Sequence, residues 1–374
     1  MSNFSCAAPW RGLHINPQGS IKTCCAGDPN MLGNLNTQTI EEILHGSALT
    51  EIRQTLRRGE PHAKYCHNCV QAERYGRSER DWHNKLNPDF DATKLSDTDH
   101  KPVLIDIRWN TTCNFSCNYC NEHSSSQWAS LKQLSVQSGT RPYAKQVCEY
   151  IEQHQTHIKK VALIGGEPLL LKENERLLSA IPSDCQIDII TNLGVDLAHN
   201  RIFDQLQQRT NVGWNVSIDN VGSRFEYVRH GGIWSQVEQN IRTIQACAGH
   251  RVGIHPLYNI YNATRLTELI DWARTYNVDL HWQSLYHPEC LDPLQLGSDI
   301  KQLALAELQK TLARNDLTSS ERGFLQQARS NYNSATKQTL IPELIKHITE
   351  IESKYHTNTL GRFKQLWPEI ENLL

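Results

Sequence analysis

The sequence lacks the long apolar segments that membrane proteins need. No stretch of its 374 residues approaches the roughly 18 consecutive apolar residues of a membrane-spanning helix. The first ten residues, Met-Ser-Asn-Phe-Ser-Cys-Ala-Ala-Pro-Trp, contain no basic residue and no long apolar run, so they do not resemble a secretory signal. We therefore expect a cytoplasmic protein with no membrane partner.

A large excess of either charge is also missing. The chain has 38 lysine and arginine residues against 40 aspartate and glutamate residues, for a formal net charge of -2. Tight binding to a nucleic acid duplex needs several phosphate contacts, and the bulk charge gives no sign of them. A small molecule or a peptide is therefore an easier partner to accommodate than duplex DNA.

Cysteine, in contrast, is abundant. Twelve cysteines in a chain without a secretory signal favour metal ligation in a reducing compartment over disulfide bonds. Cys113, Cys117 and Cys120 fall within the single run Cys-Asn-Phe-Ser-Cys-Asn-Tyr-Cys. Iron–sulfur clusters select thiolate ligands, and three thiolates on a four-iron cluster leave one iron open for a small molecule. A zinc loop and simple burial of the thiols are the alternatives.

Short β-rich runs alternate with amphipathic helical patterns between residues 101 and 287. The predicted strands are Val103–Trp109, Lys160–Ile164, Gln186–Thr191, Val212–Ile218, Arg251–Tyr258 and Val278–Leu285, and two of the predicted helices are Trp234–Cys247 and Ala263–Tyr276. Strands separated by helices indicate βαβ units and a parallel sheet, so the predicted class is α/β. In barrel-like folds of this class, the chemistry gathers at the carboxyl ends of the strands.

The regions on either side of this core have different patterns. Residues 3–79 are turn-rich with spaced cysteines and one helical pattern at Ile40–Leu56, and residues 84–100 resemble a linker. After Pro293 the chain is polar and helical, with amphipathic runs at Leu303–Leu312 and Leu340–Ile351. The predicted divisions are a cysteine-rich domain with its linker at 1–95, a core at 96–290 and a helical C-terminal extension at 291–374.

The second predicted strand is followed by Gly165-Gly166-Glu167-Pro168. Glycines at a strand end let the backbone approach a ligand closely, and a carboxylate there can pair with an ammonium group. An ordinary turn between strand and helix is the alternative.

The next two predicted strands also end in polar groups. Thr191 and Asn192 end the third strand, and Ser217 and Asp219 end the fourth. Hydroxyl, amide and carboxylate groups at this edge suit ribose hydroxyls and a carboxylate. For Asp219, a simple helix N-cap is the alternative.

The cysteine loop and the Gly-Gly-Glu-Pro segment, in this order, resemble the signature motifs of the radical S-adenosylmethionine (SAM) superfamily. The loop has the spacing Cys-x3-Cys-x2-Cys, with an aromatic residue before the last cysteine. The resemblance implies a partial (β/α)6 barrel and a catalytic [4Fe-4S] cluster whose open iron binds SAM. The SAM-contacting residues that it implies, together with those the strand ends suggest, are Tyr119, Gly165, Gly166, Glu167, Thr191, Asn192, Ser217, Asp219, Arg229 and Ile254.

Three of these residues have specific roles in the resemblance. Glu167 corresponds to the carboxylate that holds the amino group of SAM, and Arg229 resembles the arginine that meets its carboxylate. The run ending at Ile254 matches the backbone that seats the adenine. A surface position is the alternative for Arg229.

The N-terminal cysteines resemble those of a SPASM/twitch domain. The matching pieces are Cys-Ala-Ala-Pro-Trp, Asn-Pro-Gln-Gly-Ser, Leu-Gly-Asn-Leu and Cys-His-Asn-Cys. The resemblance implies a second, auxiliary [4Fe-4S] cluster on Cys6, Cys24, Cys66 and Cys69, in a domain that most relatives carry after the barrel rather than before it. Structural zinc is the alternative, and the neighbouring Cys25 makes the assignment of Cys24 ambiguous.

The sixth predicted strand and the loop after it supply candidate substrate-facing groups. Period-two alternation places Gln283, and with it His281, on the inner face together with Leu285. The loop carries Tyr286 and His287, which we predict as catalytic because a radical enzyme needs a group that delivers or removes a proton. Ordinary filling of the barrel is the alternative.

The predicted function is that of a radical SAM enzyme. It would cleave SAM reductively to a 5′-deoxyadenosyl radical, with electrons from a donor such as flavodoxin or ferredoxin, and abstract a hydrogen atom from its substrate. Relatives with SPASM or twitch domains most often modify peptides or proteins, so a peptide is expected. The alternatives are a nucleotide or phage DNA base as substrate, and a non-catalytic cluster- or zinc-binding scaffold.

Overall fold

The computed structural model describes residues 4–73, 78–136, 140–333, 339–355 and 361–371. Its strands are β1 (Gly12–Ile15), β2 (Ser20–Lys22), β3 (Gly33–Asn34), β4 (Leu104–Ile107), β5 (Lys160–Leu163), β6 (Gln186–Thr191), β7 (Val212–Val216), β8 (His250–Ile254), β9 (Leu257–Tyr258), β10 (Asp279–Leu280) and β11 (Gln283–Ser284).

The helices of the N-terminal region and the core are α1 (Ala8–Arg11), α2 (Ile40–Leu44), α3 (Ser47–Arg57), α4 (His67–Glu73), α5 (Glu79–Leu86), α6 (Ser126–Leu131), α7 (Ala144–His154), α8 (Lys172–Ala180), α9 (Arg201–Leu206), α10 (Gly222–Val228), α11 (Trp234–Gln245) and α12 (Leu266–Thr275). Those of the C-terminal extension are α13 (Ser298–Leu312), α14 (Ser319–Asn333), α15 (Ile341–Tyr355), α16 (Gly361–Leu366) and α17 (Pro368–Glu371). Within the ranges that the structure describes, each helix is too short or too polar to cross a bilayer.

Nine strands form one sheet in the order β10-β8-β7-β6-β5-β4-β1-β2-β3. The strands from β4 to β8 and β10 are parallel to their neighbours, which confirms the predicted α/β class with a parallel sheet. On the other side of β4, β1 is added in parallel, followed by β2 and β3 in antiparallel pairing. The sheet therefore continues from the core into the N-terminal region.

The sheet is buried on both faces at β1, β4 and β5, whereas one face is partly open at β6 and β7. In β7, Val212, Trp214 and Val216 are buried among the helices, whereas Gly213 and Asn215 on the opposite face are partly exposed. Parallel sheets usually bury both faces under apolar side chains. The open, polar face is therefore the surface on which this fold can hold a ligand.

Several predicted elements are divided in the structure. The helical pattern Ile40–Leu56 forms two helices, because the chain at Gly46 is extended and serves as the N-cap of α3. The predicted strand Arg251–Tyr258 is split into β8 and β9 around Pro256, which cannot donate a ladder hydrogen bond. The predicted strand Val278–Leu285 is likewise split into β10 and β11.

The predicted linker at 84–100 is partly helical. It begins inside α5, whose first turn is capped by the side chain of Ser78. A short 3-10 helix follows at Ala92–Lys94. The run of polar residues had suggested a linker, but α5 packs against α1 and the segment belongs to the folded N-terminal region.

The C-terminal extension is helical, as predicted, and shares a hydrophobic cluster with the core. The cluster joins Tyr227, Val228, Ile260, Tyr261, Leu285 and Cys290 of the core to Leu291, Leu344, Ile348, Phe363, Leu366, Trp367 and Ile370 of the extension. The extension is therefore anchored beside α10, close to the loop that carries the three cysteines.

Candidate active site

The loop with Cys113, Cys117 and Cys120 follows β4 and is fixed by backbone hydrogen bonds. The Ser116 amide donates to the His230 carbonyl over 2.9 Å, and the Asn118 amide donates to the Val228 carbonyl over 2.8 Å. Both partners lie at the end of α10. The amides on either side of Cys117 are thus anchored to the core.

The three thiols form a donor set that fits an iron–sulfur cluster. Burial raises the pKa of Cys113 to about 11 and also raises the pKa values of Cys117 and Cys120. Cys113 and Cys120 each add to the rise at Cys117, so the three groups lie within electrostatic reach of one another. Buried thiolates of this kind need a strong positive partner, which the irons of a cluster supply.

The Gly-Gly-Glu-Pro segment presses against the strand end that leads into the cysteine loop. Gly165 has a φ of +144°, and a Cβ at Gly166 would lie 2.1 Å from the Thr112 carbonyl oxygen. The Glu167 amide donates to the same Thr112 oxygen over 2.7 Å. A side chain at position 166 would clash with the backbone of Thr112, the residue before Cys113, so glycine is required there.

The Glu167 carboxylate is fully buried and accepts three hydrogen bonds. The donors are the Leu169 amide (3.1 Å), the Thr191 hydroxyl (2.7 Å) and the Asn192 amide (2.8 Å). A carboxylate has about four lone-pair positions, so one acceptor site remains for an ammonium group. Burial raises the pKa of Glu167 to about 7, although the three hydrogen bonds act in the opposite direction.

Asn192 joins Glu167 to the cysteine loop. Its backbone amide donates to Glu167, while its side-chain amide donates to the Cys113 sulfur over 3.6 Å and to the Asn114 side chain over 2.9 Å. The end of β6 therefore touches both the carboxylate and the first thiol, which brings two separate sequence motifs into one site.

Arg229 contacts both Asp219, which follows β7, and the Cys117 sulfur. Its guanidinium lies 2.9 Å from Asp219 and donates to the Cys117 sulfur over 3.8 Å. Tyr119 donates a 2.6 Å hydrogen bond to Asp219, and its ring lies 5.5 Å from the Arg229 guanidinium. Burial works against the Arg229 charge, but Asp219, Tyr119 and Cys117 raise its pKa above the usual value.

Two alternatives from the sequence are therefore wrong. Arg229 is 5% exposed and is not a surface residue. Asp219 is not the N-cap of α10, since the N-cap position is Val221. The Arg229 Nε–H is buried without a hydrogen-bond partner, which leaves one donor on this side chain unused.

Ser217 and Ile254 differ in how far they can reach a ligand. Ser217 is partly exposed at the end of β7, whereas the Ile254 side chain is fully buried in the core. The Ile254 carbonyl accepts a 2.9 Å hydrogen bond from the His281 amide. Its backbone oxygen is therefore already used in the sheet.

Sequence analysis identified Asn192, Ser217 and His281 separately but missed His255, which completes a polar row on the open face of the sheet. Hydrogen bonds link the strand ends stepwise, from the Ser217 amide to the Thr191 carbonyl (2.8 Å), from the His255 amide to the Val216 carbonyl (2.9 Å) and from the His281 amide to the Ile254 carbonyl (2.9 Å). This register puts Asn192, Ser217, His255 and His281 in one layer. Period-two alternation could have placed His255 on this face, but the alignment of the four residues depends on the register between strands.

Within this row, the two histidines are neighbours. The His255 Nε2 lies 2.9 Å from the Asn215 side-chain oxygen, and the His255 ring lies 5.0 Å from the His281 ring. Burial, reinforced by His281, lowers the pKa of His255 to about 4. His281 and Gln283 are exposed, whereas Leu285, which was predicted to share their face, is buried in the cluster shared with the extension.

Tyr286 and His287 lie in the loop after β11, and both are exposed, Tyr286 by 65%. Tyr286 borders a small depression that is also lined by Tyr258 and Asp292. Their catalytic role stays a prediction.

The N-terminal cysteines meet in a separate cavity. Its lining includes Cys6, Cys24, Cys66 and Cys69 together with Tyr65, Arg80 and His83. The pKa of Cys6 is raised to about 12 and that of Cys66 to about 11, first by burial, with the other thiols adding to the effect. Four mutually interacting thiols are a donor set that fits a fully ligated four-iron cluster.

Cys25 lies outside this cavity. Burial raises its pKa, and the nearby Glu79 and Asp106 carboxylates raise it further. Cys24 and not Cys25 therefore faces the other three cysteines. In the described part of the chain, no three His, Cys, Asp or Glu side chains are grouped as ligands of one metal ion.

Two family models match the chain. Residues 6–70 match SPASM, described as an iron–sulfur cluster-binding domain, and residues 107–273 match the radical SAM superfamily. These matches confirm the two resemblances that the sequence motifs indicated, and they imply [4Fe-4S] clusters.

The chain is also similar to individual proteins over parts of its length. It is 36% identical over 87 residues to a 7-carboxy-7-deazaguanine synthase from Clostridium acetobutylicum, which covers 23% of this chain and 35% of that protein. The chain thus spans about a third of the length of this curated relative.

Among solved structures, the chain is similar to anSMEcpe with bound AdoMet (TM-score 0.41, 18% identity, 56% of this chain and 57% of that chain). It is also similar to Streptococcus suis SuiB bound to the precursor peptide SuiA (TM-score 0.41, 14% identity, 78% of this chain and 61% of that chain). Similarity at this level is too loose to indicate a substrate.

Proposed function

We propose that this chain, in which a radical SAM domain follows an iron–sulfur cluster-binding SPASM domain, is a radical SAM enzyme acting on a peptide. Cys113, Cys117 and Cys120 would hold the catalytic cluster. A cluster of this type, when bound, supplies the electron that cleaves SAM to methionine and a 5′-deoxyadenosyl radical, which takes a hydrogen atom from substrate.

The observation that carries the proposal is the double contact of Asn192. It donates to Glu167 through its backbone and to the Cys113 sulfur through its side chain. An ammonium group on Glu167 would therefore lie beside the thiols. A scaffold protein has no need for this connection between a buried carboxylate and a cluster loop.

The remaining polar groups have complementary tasks. Glu167 would bind the amino group of SAM, and the unpartnered Arg229 Nε–H is a donor for its carboxylate. The Arg229 charge also stabilises the Cys117 thiolate. These groups are buried, so water competes little with their ligands.

A peptide suits the open face of the sheet. The row of polar groups crosses four strands from β6 to β10, which corresponds to about 14 Å at the usual strand spacing. This length exceeds a single base and fits an extended segment of several residues. His255 stays neutral because of its lowered pKa and would orient the substrate, while the exposed His281 is available to hydrogen-bond the substrate. Tyr286 and His287 belong to the rim of this surface in the proposal.

A nucleobase derivative is the second candidate. It is favoured by the 36% identity over 87 residues to 7-carboxy-7-deazaguanine synthase. The two candidates differ in the source of the hydrogen that ends on 5′-deoxyadenosine.

The test uses this difference. Reconstituted, dithionite-reduced protein is given SAM with either a deuterated peptide mixture or deuterated nucleosides. We expect 5′-deoxyadenosine to form in every case and to gain deuterium only from the peptide mixture. Deuterium from the nucleosides would support the second candidate. An absence of 5′-deoxyadenosine in all samples would contradict the radical SAM proposal itself.

A further inference from the structure

The C-terminal extension reaches the loop of the three cysteines through a contact between residues that are 239 positions apart in the chain. Tyr355, the last residue of α15, donates a 2.7 Å hydrogen bond to the hydroxyl of Ser116. Its ring stacks on His230 at 3.5 Å between centroids. Ser116 is the residue before Cys117, and His230 accepts the hydrogen bond of the Ser116 amide.

The residue after Cys117 also lies beside this helix. His347, two turns before Tyr355, is close enough to the Asn118 backbone for that backbone to influence the His347 pKa, which burial lowers. Asn118 is fully buried, and its amide is already bonded to the end of α10. Both chain neighbours of Cys117 are therefore in contact with α15.

A third contact reaches Cys117 itself. The Lys354 ammonium lies 4.7 Å from the Trp128 ring, and the Trp128 indole N–H donates to the Cys117 carbonyl over 2.9 Å. The Trp128 ring also meets the Tyr355 ring edge-on at 6.4 Å. The end of α15 thus covers the loop from the outside.

The helix that makes these contacts is rigidly attached to the core. The Glu352 carboxylate is fully buried and accepts from the Tyr227 hydroxyl (3.0 Å) and the Phe363 amide (2.6 Å). Tyr227 belongs to α10, which also anchors the cysteine loop. A loop held between two elements that are bonded to each other has little freedom to move.

From these contacts we infer that α15 is a positioning element of the catalytic site, with Tyr355 holding Cys117 in place for its cluster through Ser116 and His230. This inference rests on the proposed function. It gives the extension a task that neither family match covers, since both matches end before residue 274. The Tyr355–Ser116 hydrogen bond is the part that a single substitution can remove cleanly.

The chain offers a matched control. Tyr332 in α14 also belongs to the extension, and its buried hydroxyl makes a 2.9 Å hydrogen bond to the Tyr258 hydroxyl. Tyr332→Phe and Tyr355→Phe each delete one hydroxyl and one hydrogen bond from the extension. Of the two, only Tyr355 contacts the cysteine loop through the bond that is lost.

The experiment compares wild type, Tyr355→Phe, Ser116→Ala, the double variant and Tyr332→Phe as reconstituted full-length proteins. The readouts are the SAM-induced change in the electron paramagnetic resonance spectrum of the reduced cluster and the rate of iron release to a chelator. For Tyr355→Phe and Ser116→Ala we expect an altered SAM-induced spectrum and iron release roughly two- to tenfold faster. The double variant should be no worse than either single variant, because both remove the same bond.

Tyr332→Phe should match the wild type in both readouts. If Tyr355→Phe behaves like Tyr332→Phe, or if the effects of Tyr355→Phe and Ser116→Ala add, the inference is wrong while the proposed function stands. If the wild type itself shows no SAM-sensitive cluster, both the proposed function and this inference fail.

Discussion

The two cysteine sites of this protein are built in opposite ways. Cys113, Cys117 and Cys120 lie within eight residues, and polar side chains from elsewhere reach two of their sulfurs, Asn192 at Cys113 and Arg229 at Cys117. The auxiliary set comes from places up to 63 residues apart, from Cys6 to Cys69, and lines a cavity with Phe4, Leu56 and Tyr65.

This difference indicates different tasks. Three thiols with adjacent ligand-binding groups leave room for a small molecule at the cluster. Four converging thiols in a largely apolar cavity complete a cluster and close it to ligands. The first site is therefore expected to respond to SAM, and the second is expected to be indifferent to it.

The largest expected effect comes from removing one set of cysteines at a time. Since two four-iron clusters amount to about eight irons per chain, replacing Cys113, Cys117 and Cys120 by Ala should leave roughly half the iron. It should also abolish cleavage of SAM. Elemental analysis and chromatography of 5′-deoxyadenosine measure the two quantities.

Replacing Cys6, Cys24, Cys66 and Cys69 by Ala is the reciprocal experiment. It should remove the other half of the iron and preserve the spectral response to SAM. Zinc in place of iron in the native protein, or full iron retention in the triple variant, would contradict the assignment of one four-iron cluster to each cysteine set.

Glu167 provides a test of SAM binding at the site of Cys113, Cys117 and Cys120. A charge-assisted hydrogen bond to an ammonium group contributes about 1.5–3 kcal/mol, so Glu167→Ala should weaken SAM binding by roughly tenfold to over a hundredfold. Equilibrium binding to the reconstituted protein gives the dissociation constant. An unchanged constant would remove Glu167 from the SAM site. Glu173, another buried glutamate, which lies in α8, provides the matched control as Glu173→Ala.

The pH dependence of SAM binding follows from the same group. With a pKa of about 7, the Glu167 carboxyl is neutral below pH 7 and charged above it. Only the charged form pairs with an ammonium group, so affinity should rise roughly tenfold from pH 6 to pH 8. Glu167→Gln should flatten this dependence. The same slope in the variant would assign the titration to another group.

The smallest expected effect concerns His281, which we assign to substrate binding and not to SAM binding. His281→Ala should slow modification of the substrate by about fivefold, the value of one hydrogen bond, while SAM cleavage without substrate stays unchanged. His287→Ala, on the exposed loop, is the companion variant and should also spare SAM cleavage. Whichever of the two variants slows product formation more identifies the histidine nearer to the substrate. Equal loss of both activities would mean that the histidine only supports the fold.

The catalytic motifs could be predicted because each is local. The three cysteines of the loop and the glycines beside Glu167 each act within a few residues, and the strands of the core show their period directly. The environment of Arg229 could not be predicted, since its burial depends on Asp219 and Tyr119, which approach it only in the folded chain.

The predicted element boundaries were wrong where a single residue interrupts a regular pattern. Gly46 divides one predicted helix, and Pro256 lies between β8 and β9. The sequence predicted continuous elements there because a repeating apolar pattern can continue through a residue that interrupts the backbone hydrogen bonding. The row formed by Asn192, Ser217, His255 and His281 depends on register between strands, which adjacent sequence does not specify.

The sequence by itself determined the chemistry of the ligands, the parallel α/β core and the two family resemblances, because thiol spacing and apolar periodicity are local properties. Only the tertiary structure decided which distant groups meet. It joined Asn192 to Cys113, chose Cys24 over Cys25 for the auxiliary cavity and set Tyr355 against Ser116. These contacts depend on how elements pack across the whole chain, and packing is a property of the folded core as a unit.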